Sequence, residues 1–180
     1  MTNRSVTDDS SKQQMTRPVQ DLSIDHLYLI RQVAGLTASI RNRNLLLTRA
    51  LELLISYFAA TGGGIYQLHD RESPLNLVAQ MGISDDLSCE LQKVPAGKGL
   101  IAQVIESEQP TCWSPLEGEA ELYCQALLDA GWDSLFAYPL IAHERLIGVF
   151  FLYQDSLRDF SPDEFNLLGE CCQLLAAAID

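Results

Sequence analysis

The sequence predicts an α+β fold, a six-stranded antiparallel sheet flanked by an N-terminal and a C-terminal helix. Three observations carry that expectation. Apolar residues recur at steps of three and four from Ile30 to Phe58 and again from Phe165 to Ile179, the period of an amphipathic helix near each end of the chain. Between them lie short runs of β-branched, aromatic and large aliphatic residues separated by polar or glycine turns, the pattern of hairpin-linked strands. The clearest hairpin spans Asp133 to Tyr153, with His143-Glu144-Arg145 as its turn. Its second run, Leu146 to Tyr153, is apolar at nearly every position, so a central strand covered on both faces is expected.

Taken in order, residues 1–20 are polar, without apolar periodicity, and read as a disordered tail. Residues 21–44 read as a coiled-coil-like helical extension and 45–180 as the folded domain. The seam Ile30, Val33, Thr37, Ile40, Asn44, Leu47, Leu51, Leu54, Phe58 has heptad spacing, with Asn44 as a register-setting polar position and Gly35 as the candidate interruption. A parallel homodimer along this seam is expected, so that Glu at Leu47 and Leu51 would leave a folded monomer.

Gly62-Gly63-Gly64 reads as a breaker between helix and sheet, since no Lys-Ser or Lys-Thr follows to make a phosphate loop. Ile65 to His69 and Leu75 to Met81 are the first two strands, and Ser84 caps a short helix. Leu91 to Val94 adds a strand, Gly97-Lys98-Gly99 opens a helix to about Ser107, and Thr111 to Ser114 is a short strand. An acidic opening at Glu117 to Glu121 starts a helix that Gly131 stops. Ser161, Pro162 and Glu164 form a capping box with Pro in the first turn, and Phe160 can staple against Phe165.

Twenty-four acidic residues against 12 basic ones give a formal charge of −12, which argues against nucleic acid and anionic membrane as direct partners. The five cysteines include no CxxC pair, and with no signal peptide or spanning apolar run they fit reduced thiols in a cytoplasmic protein. No metal site is expected, and no catalytic constellation emerges: there is no nucleophile elbow, no His-Glu-x-x-His and no complete phosphate loop. A non-enzymatic binding module is therefore expected, requiring no cofactor.

A hairpin with Pro139 in its first strand and Gly148-Val149-Phe150-Phe151-Leu152 in its second, then Phe160-Ser161-x-Asp163-Glu164 and an apolar helix, resembles the end of a GAF domain. Gly63 to Leu68 resembles that family's first strand, and Pro95-x-Gly97-x-Gly99-Leu100-Ile101 its glycine-marked helix start. The resemblance implies a GAF-like, PAS-related fold in a signal-transduction system, with a ligand cavity roofed by the Leu100 helix and the segment before Gly131. Tyr66, Val104, Trp113, Cys124, Leu128, Phe136 and Tyr138 are the expected lining. It further implies a sensory or regulatory domain that relays occupancy by a small molecule through its flanking helices, in a dimer, to an effector such as a kinase or cyclase.

The alternatives are a non-binding dimerisation module and a cyclic-nucleotide-binding GAF domain. The latter's signature is matched only by Phe160, Asp163 and Glu164, which the capping box already explains. A free methionine sulfoxide reductase would use a cysteine placed like Cys89, but that group's acidic residues on the last strands are replaced by Val149, Phe151 and Tyr153. A bilin photoreceptor would need Cys-His where Cys124-Gln125 stands. His26, His69 and His143 fall on the coil, a strand end and a turn, positions that do not suit a haem ligand.

Overall fold

The computed structural model describes residues 19–70, 75–94, 99–113, 129–158 and 160–180. In chain order the elements are α1 (Val19–Ser39), α2 (Arg43–Phe58), β1 (Gly62–Gln67), β2 (Leu75–Met81), α3 (Asp85–Leu91), β3 (Lys93–Val94), α4 (Gly99–Ser107), β4 (Thr111–Trp113), β5 (Ser134–Ala142), β6 (Arg145–Gln154) and α5 (Pro162–Ile179). The strands form one six-stranded sheet in the order β3-β2-β1-β6-β5-β4, with every pairing antiparallel. The predicted central strand is β6, hydrogen-bonded to β1 on one side and β5 on the other.

Two clusters of buried side chains lie on the two faces of this sheet. On one face α1, α2 and α5 cover Ile65, Phe136, Leu140, Ile147, Phe150 and Leu152. On the other, α3 and α4 cover Tyr66, Leu135, Ala137, Val149, Phe151 and Tyr153. Successive residues of a strand point to opposite faces, so β6 supplies both clusters in alternation. The β5–β6 turn is the two residues His143 and Glu144, with φ of 49° and 60°; Ala142 pairs with Arg145 across it. Two left-handed residues are what a tight hairpin with native twist requires. At the start of α5, Ser161 Oγ accepts from Glu164 N–H while Glu164 accepts from Ser161 N–H, the reciprocal box read from the sequence.

Three expectations are corrected. The helical seam is not continuous: α1 runs through Gly35 and ends at Ser39, and Asn42, with extended backbone, caps α2 by accepting from Leu45 N–H. Asn44 is exposed, while Leu47, Leu51, Leu54 and Phe58 are buried against the sheet of their own chain. Glu at Leu47 and Leu51 would therefore strike the core. The reason is that heptad spacing marks a helix with one apolar face and does not say what that face meets. The triple glycine lies inside β1; α2 ends before it, at Ala59 in the left-handed conformation. Of the expected disordered tail, Val19 and Gln20 belong to α1, and 1–18 lie outside the described residues, as does the Glu117 opening of the predicted roof helix.

Candidate functional site

The face away from the long helices has an aromatic floor, and β1 explains how it forms. Gly62 pairs with Tyr153 and Gly64 with Phe151 across the β1–β6 ladder. A Cβ on Gly64 would come within 2.7 Å of the Phe151 ring, and one on Gly62 would collide with the Tyr153 ring. The missing side chains thus let the two rings lie over the β1 backbone, a cross-strand covering of glycine by aromatics. Tyr66 stacks on Phe151 with ring centroids 5.4 Å apart, and Trp132 stacks on Tyr153 at 3.7 Å with planes inclined by 7°.

The phenol groups tie this floor to the segments above it. Tyr66 Oη donates to the Leu91 carbonyl at 2.9 Å, where α3 ends, and Tyr153 Oη donates to the Gly82 carbonyl after β2. Burial first, and the Asp155 charge second, push the Tyr153 phenol above its ordinary 10.0, so it stays a neutral donor at physiological pH. Leu87 and Leu91 of α3 and Leu100, Ile101 and Val104 of α4 complete the cluster. The result is a buried aromatic layer with two hydroxyls anchored to backbone carbonyls, and it offers apolar and aromatic contact rather than a reactive group.

Tyr66 and Val104 are buried here, and Trp113 packs against the same cluster, so the structure brings these three predicted lining residues together. Cys124 and Leu128 lie outside the described residues. Phe136 and Tyr138 share a face, as their spacing requires, but it is the opposite one. Phe136 sits 4.8 Å from Phe160 and 4.6 Å from Phe165 by ring centroids, and a Cβ on Gly169 of α5 would collide with the Tyr138 hydroxyl. Their neighbours Leu135 and Ala137 take the aromatic face instead. Trp132, Phe151 and Tyr153 belong to the same cluster and were not expected there; the signal was the alternation of Phe151 and Tyr153 opposite alternating glycines.

Cys89 and Cys112 are exposed, and Cys171 and Cys172 are buried in α5. Burial pushes the Cys171 thiol up to about 12 and the Cys172 thiol well above its ordinary 9.0, the opposite of what a reactive thiolate needs. Among the described residues no group of three or more His, Cys, Asp or Glu could hold a metal ion, and no helix is long and apolar enough to cross a membrane.

Comparison with known proteins agrees with this architecture. The GAF domain family profile matches residues 41–180. No curated protein sequence matches. Among solved structures, the GAF domain of a phosphoenolpyruvate-protein phosphotransferase from Coxiella burnetii is similar at TM-score 0.76 and 21% identity, covering 87% of this chain and 94% of that one. The corresponding Acinetobacter domain is similar at TM-score 0.73 and 18% identity, covering 86% and 92%. The free methionine-R-sulfoxide reductase of Neisseria meningitidis, in complex with its substrate, is similar at TM-score 0.74 and 18% identity, covering 93% and 96%. At these identities the likeness speaks to the fold.

Proposed function

This chain belongs to the GAF domain family, and from that premise we propose that it is a cytoplasmic, non-enzymatic sensory or regulatory domain. A small molecule binds over the aromatic floor of Tyr66, Phe151, Trp132 and Tyr153, and its occupancy biases the helices on the far side of the sheet. The observation that carries this reading is the route out of Tyr153. Two residues on, Asp155 exchanges hydrogen bonds with Thr61, the residue leading into β1. Arg158 then donates both to the Phe58 carbonyl at the end of α2 and to Glu164 in the first turn of α5. A displacement of the Tyr153 ring thus has a bonded path to both helices.

Binding rather than catalysis is favoured because β6 presents Val149, Phe151 and Tyr153 to this face, where the resemblance to the reductases would call for acids. The thiols of Cys89, Cys112, Cys171 and Cys172, none in a disulfide, fit a reducing compartment. A homodimer is part of the proposal, with its contact moved from the buried seam to Ile24, Leu27 and Tyr28, an exposed apolar stripe on α1. An effector such as a kinase or cyclase would receive the output. Native mass spectrometry of the purified chain, with an absorption spectrum, is expected to show a retained small molecule. A metabolite screen by thermal shift should find a ligand worth about 2.7 kcal/mol at a hundred times its Kd. If no ligand appears while light scattering shows a dimer, the chain is a dimerisation module.

A further inference from the structure

At the end of β1 and β6 away from Gly62 and Tyr153, a cleft of about 200 Å³ opens where the start of α2 and the end of α5 meet those strand ends. It is lined by Arg43 at the start of α2, His69 after β1, Arg145, Leu146 and Ile147 at the start of β6, and Asp180 after α5. The cleft already holds a carboxylate. Asp180 accepts a hydrogen bond from the Arg145 guanidinium and stands 3.0 Å from His143 Nδ1. The His143 hydrogen bond first, and that of Arg145 second, hold the Asp180 carboxyl below its usual range.

One bond to Asp180 leaves Arg145 with further donors, because a guanidinium carries five N–H groups. Arg43 has no carboxylate partner among the described residues, whereas Arg49 and Arg158 are paired with Glu52 and Glu164. This unmatched cation occurs in a chain of formal charge −12. Between exposed groups the field of distant charges is screened over about 8–10 Å at physiological ionic strength, so the short contacts inside the cleft decide what enters it.

The geometry points to a binding site for a small dianion, held by Arg43 and Arg145 in the cleft they line with Leu146 and Ile147, and displacing the Asp180 carboxylate from Arg145. A second negative charge gives the incoming anion what Asp180 lacks, a partner for Arg43; paired guanidinium contacts are well suited to phosphate and carboxylate oxygens. The cleft is smaller than the roughly 300–1,000 Å³ of pockets for drug-sized ligands, which selects an inorganic oxyanion or a short dicarboxylate over a nucleotide. Displacement would free the end of α5, so this site acts on a helix of the proposed relay without depending on any ligand at the aromatic floor.

The test is an amide NMR titration of the full chain with sodium phosphate and, separately, sodium succinate, at constant ionic strength set with sodium chloride. Saturable shifts are expected at Leu68, His69, Ile147 and Asp180, with binding weakened about tenfold or more in Arg43→Gln, the scale of one lost charge-assisted bond. A response to phosphate alone identifies a tetrahedral oxyanion site, and one to succinate alone a dicarboxylate site. Asp180→Asn, which removes the internal competitor, should bind several-fold tighter. Shifts that stay linear with concentration in both titrations, shifts unchanged by Arg43→Gln, or equal or weaker binding by Asp180→Asn would overturn the proposal.

Discussion

On the helix-covered face, Phe150 and Leu152 of β6 share a cluster with Leu47, Leu51 and Leu54 of α2 and with Leu168, Cys172 and Leu175 of α5, all fully buried. On the aromatic face, Phe151 and Tyr153 of the same strand lie over bare glycine backbone, beneath a seven-residue α3 and a nine-residue α4. The first layer is held by the apolar stripes of long helices, which have nowhere else to be buried. The second is held by ring stacking and by two phenol bonds to carbonyls outside the sheet, those of Leu91 and Gly82. Among the described residues, shorter helices and single-point anchors make the aromatic layer the one that local opening should reach first. That suits the ligand entry proposed for this face.

The largest effect expected is on the helix face. Leu51 is 0% exposed, so Leu51→Glu buries an unpaired charge and should abolish cooperative folding by circular dichroism, and Leu51→Ala should cost about 2–5 kcal/mol in urea denaturation. A folded, soluble Leu51→Glu chain would mean that the helix layer is not the main core. Next comes the aromatic face: Gly64→Ala forces a methyl against the Phe151 ring and the Ala79 carbonyl, with an expected cost of about 1–3 kcal/mol and a loss of near-ultraviolet signal from the stacked rings.

Alkaline pH separates the layers differently. Above pH 9 the unfolded chain releases a Cys171 proton that the folded chain keeps up to about 12, so stability present below pH 9 is lost as pH rises through that window. The Tyr153 phenol, raised from 10.0, begins its contribution about one unit later. Urea midpoints measured from pH 8 to 11 should therefore fall, and Cys171→Ala should flatten the early part of the decline; an unchanged slope in that variant would remove the thiol from the account. The smallest effect is that of Tyr66→Phe, which deletes the bond to the Leu91 carbonyl. About 1 kcal/mol is expected, with faster amide exchange at the end of α3 and little change in α2 or α5.

What could be read in advance was what neighbouring residues decide among themselves. The capping box needs only Ser161 to Glu164, and the hairpin only the two apolar runs and the His143-Glu144 turn. A period of two shows that Phe136 and Tyr138 share a face, yet which face depends on Phe160, Phe165 and Gly169, far along the chain. The heptad seam likewise records an apolar stripe without its partner, and the break was written locally in Asn42, a good cap three residues before Leu45. Gly62 and Gly64 looked like punctuation because their meaning lies in rings far along the chain, at Tyr153 and Phe151.

The alternation along β6 has a consequence for how this chain tolerates change in length. Phe150 and Leu152 belong to one layer, Phe151 and Tyr153 to the other, and both neighbouring strands hold the register. A substitution in β6 therefore touches one layer at a time. Deleting a single residue between Val149 and Leu152 would turn every side chain beyond it to the wrong side, emptying and overfilling both layers together. Variation in length should accordingly be absorbed in the loops, while β6 admits exchanges of residue type but no insertion or deletion.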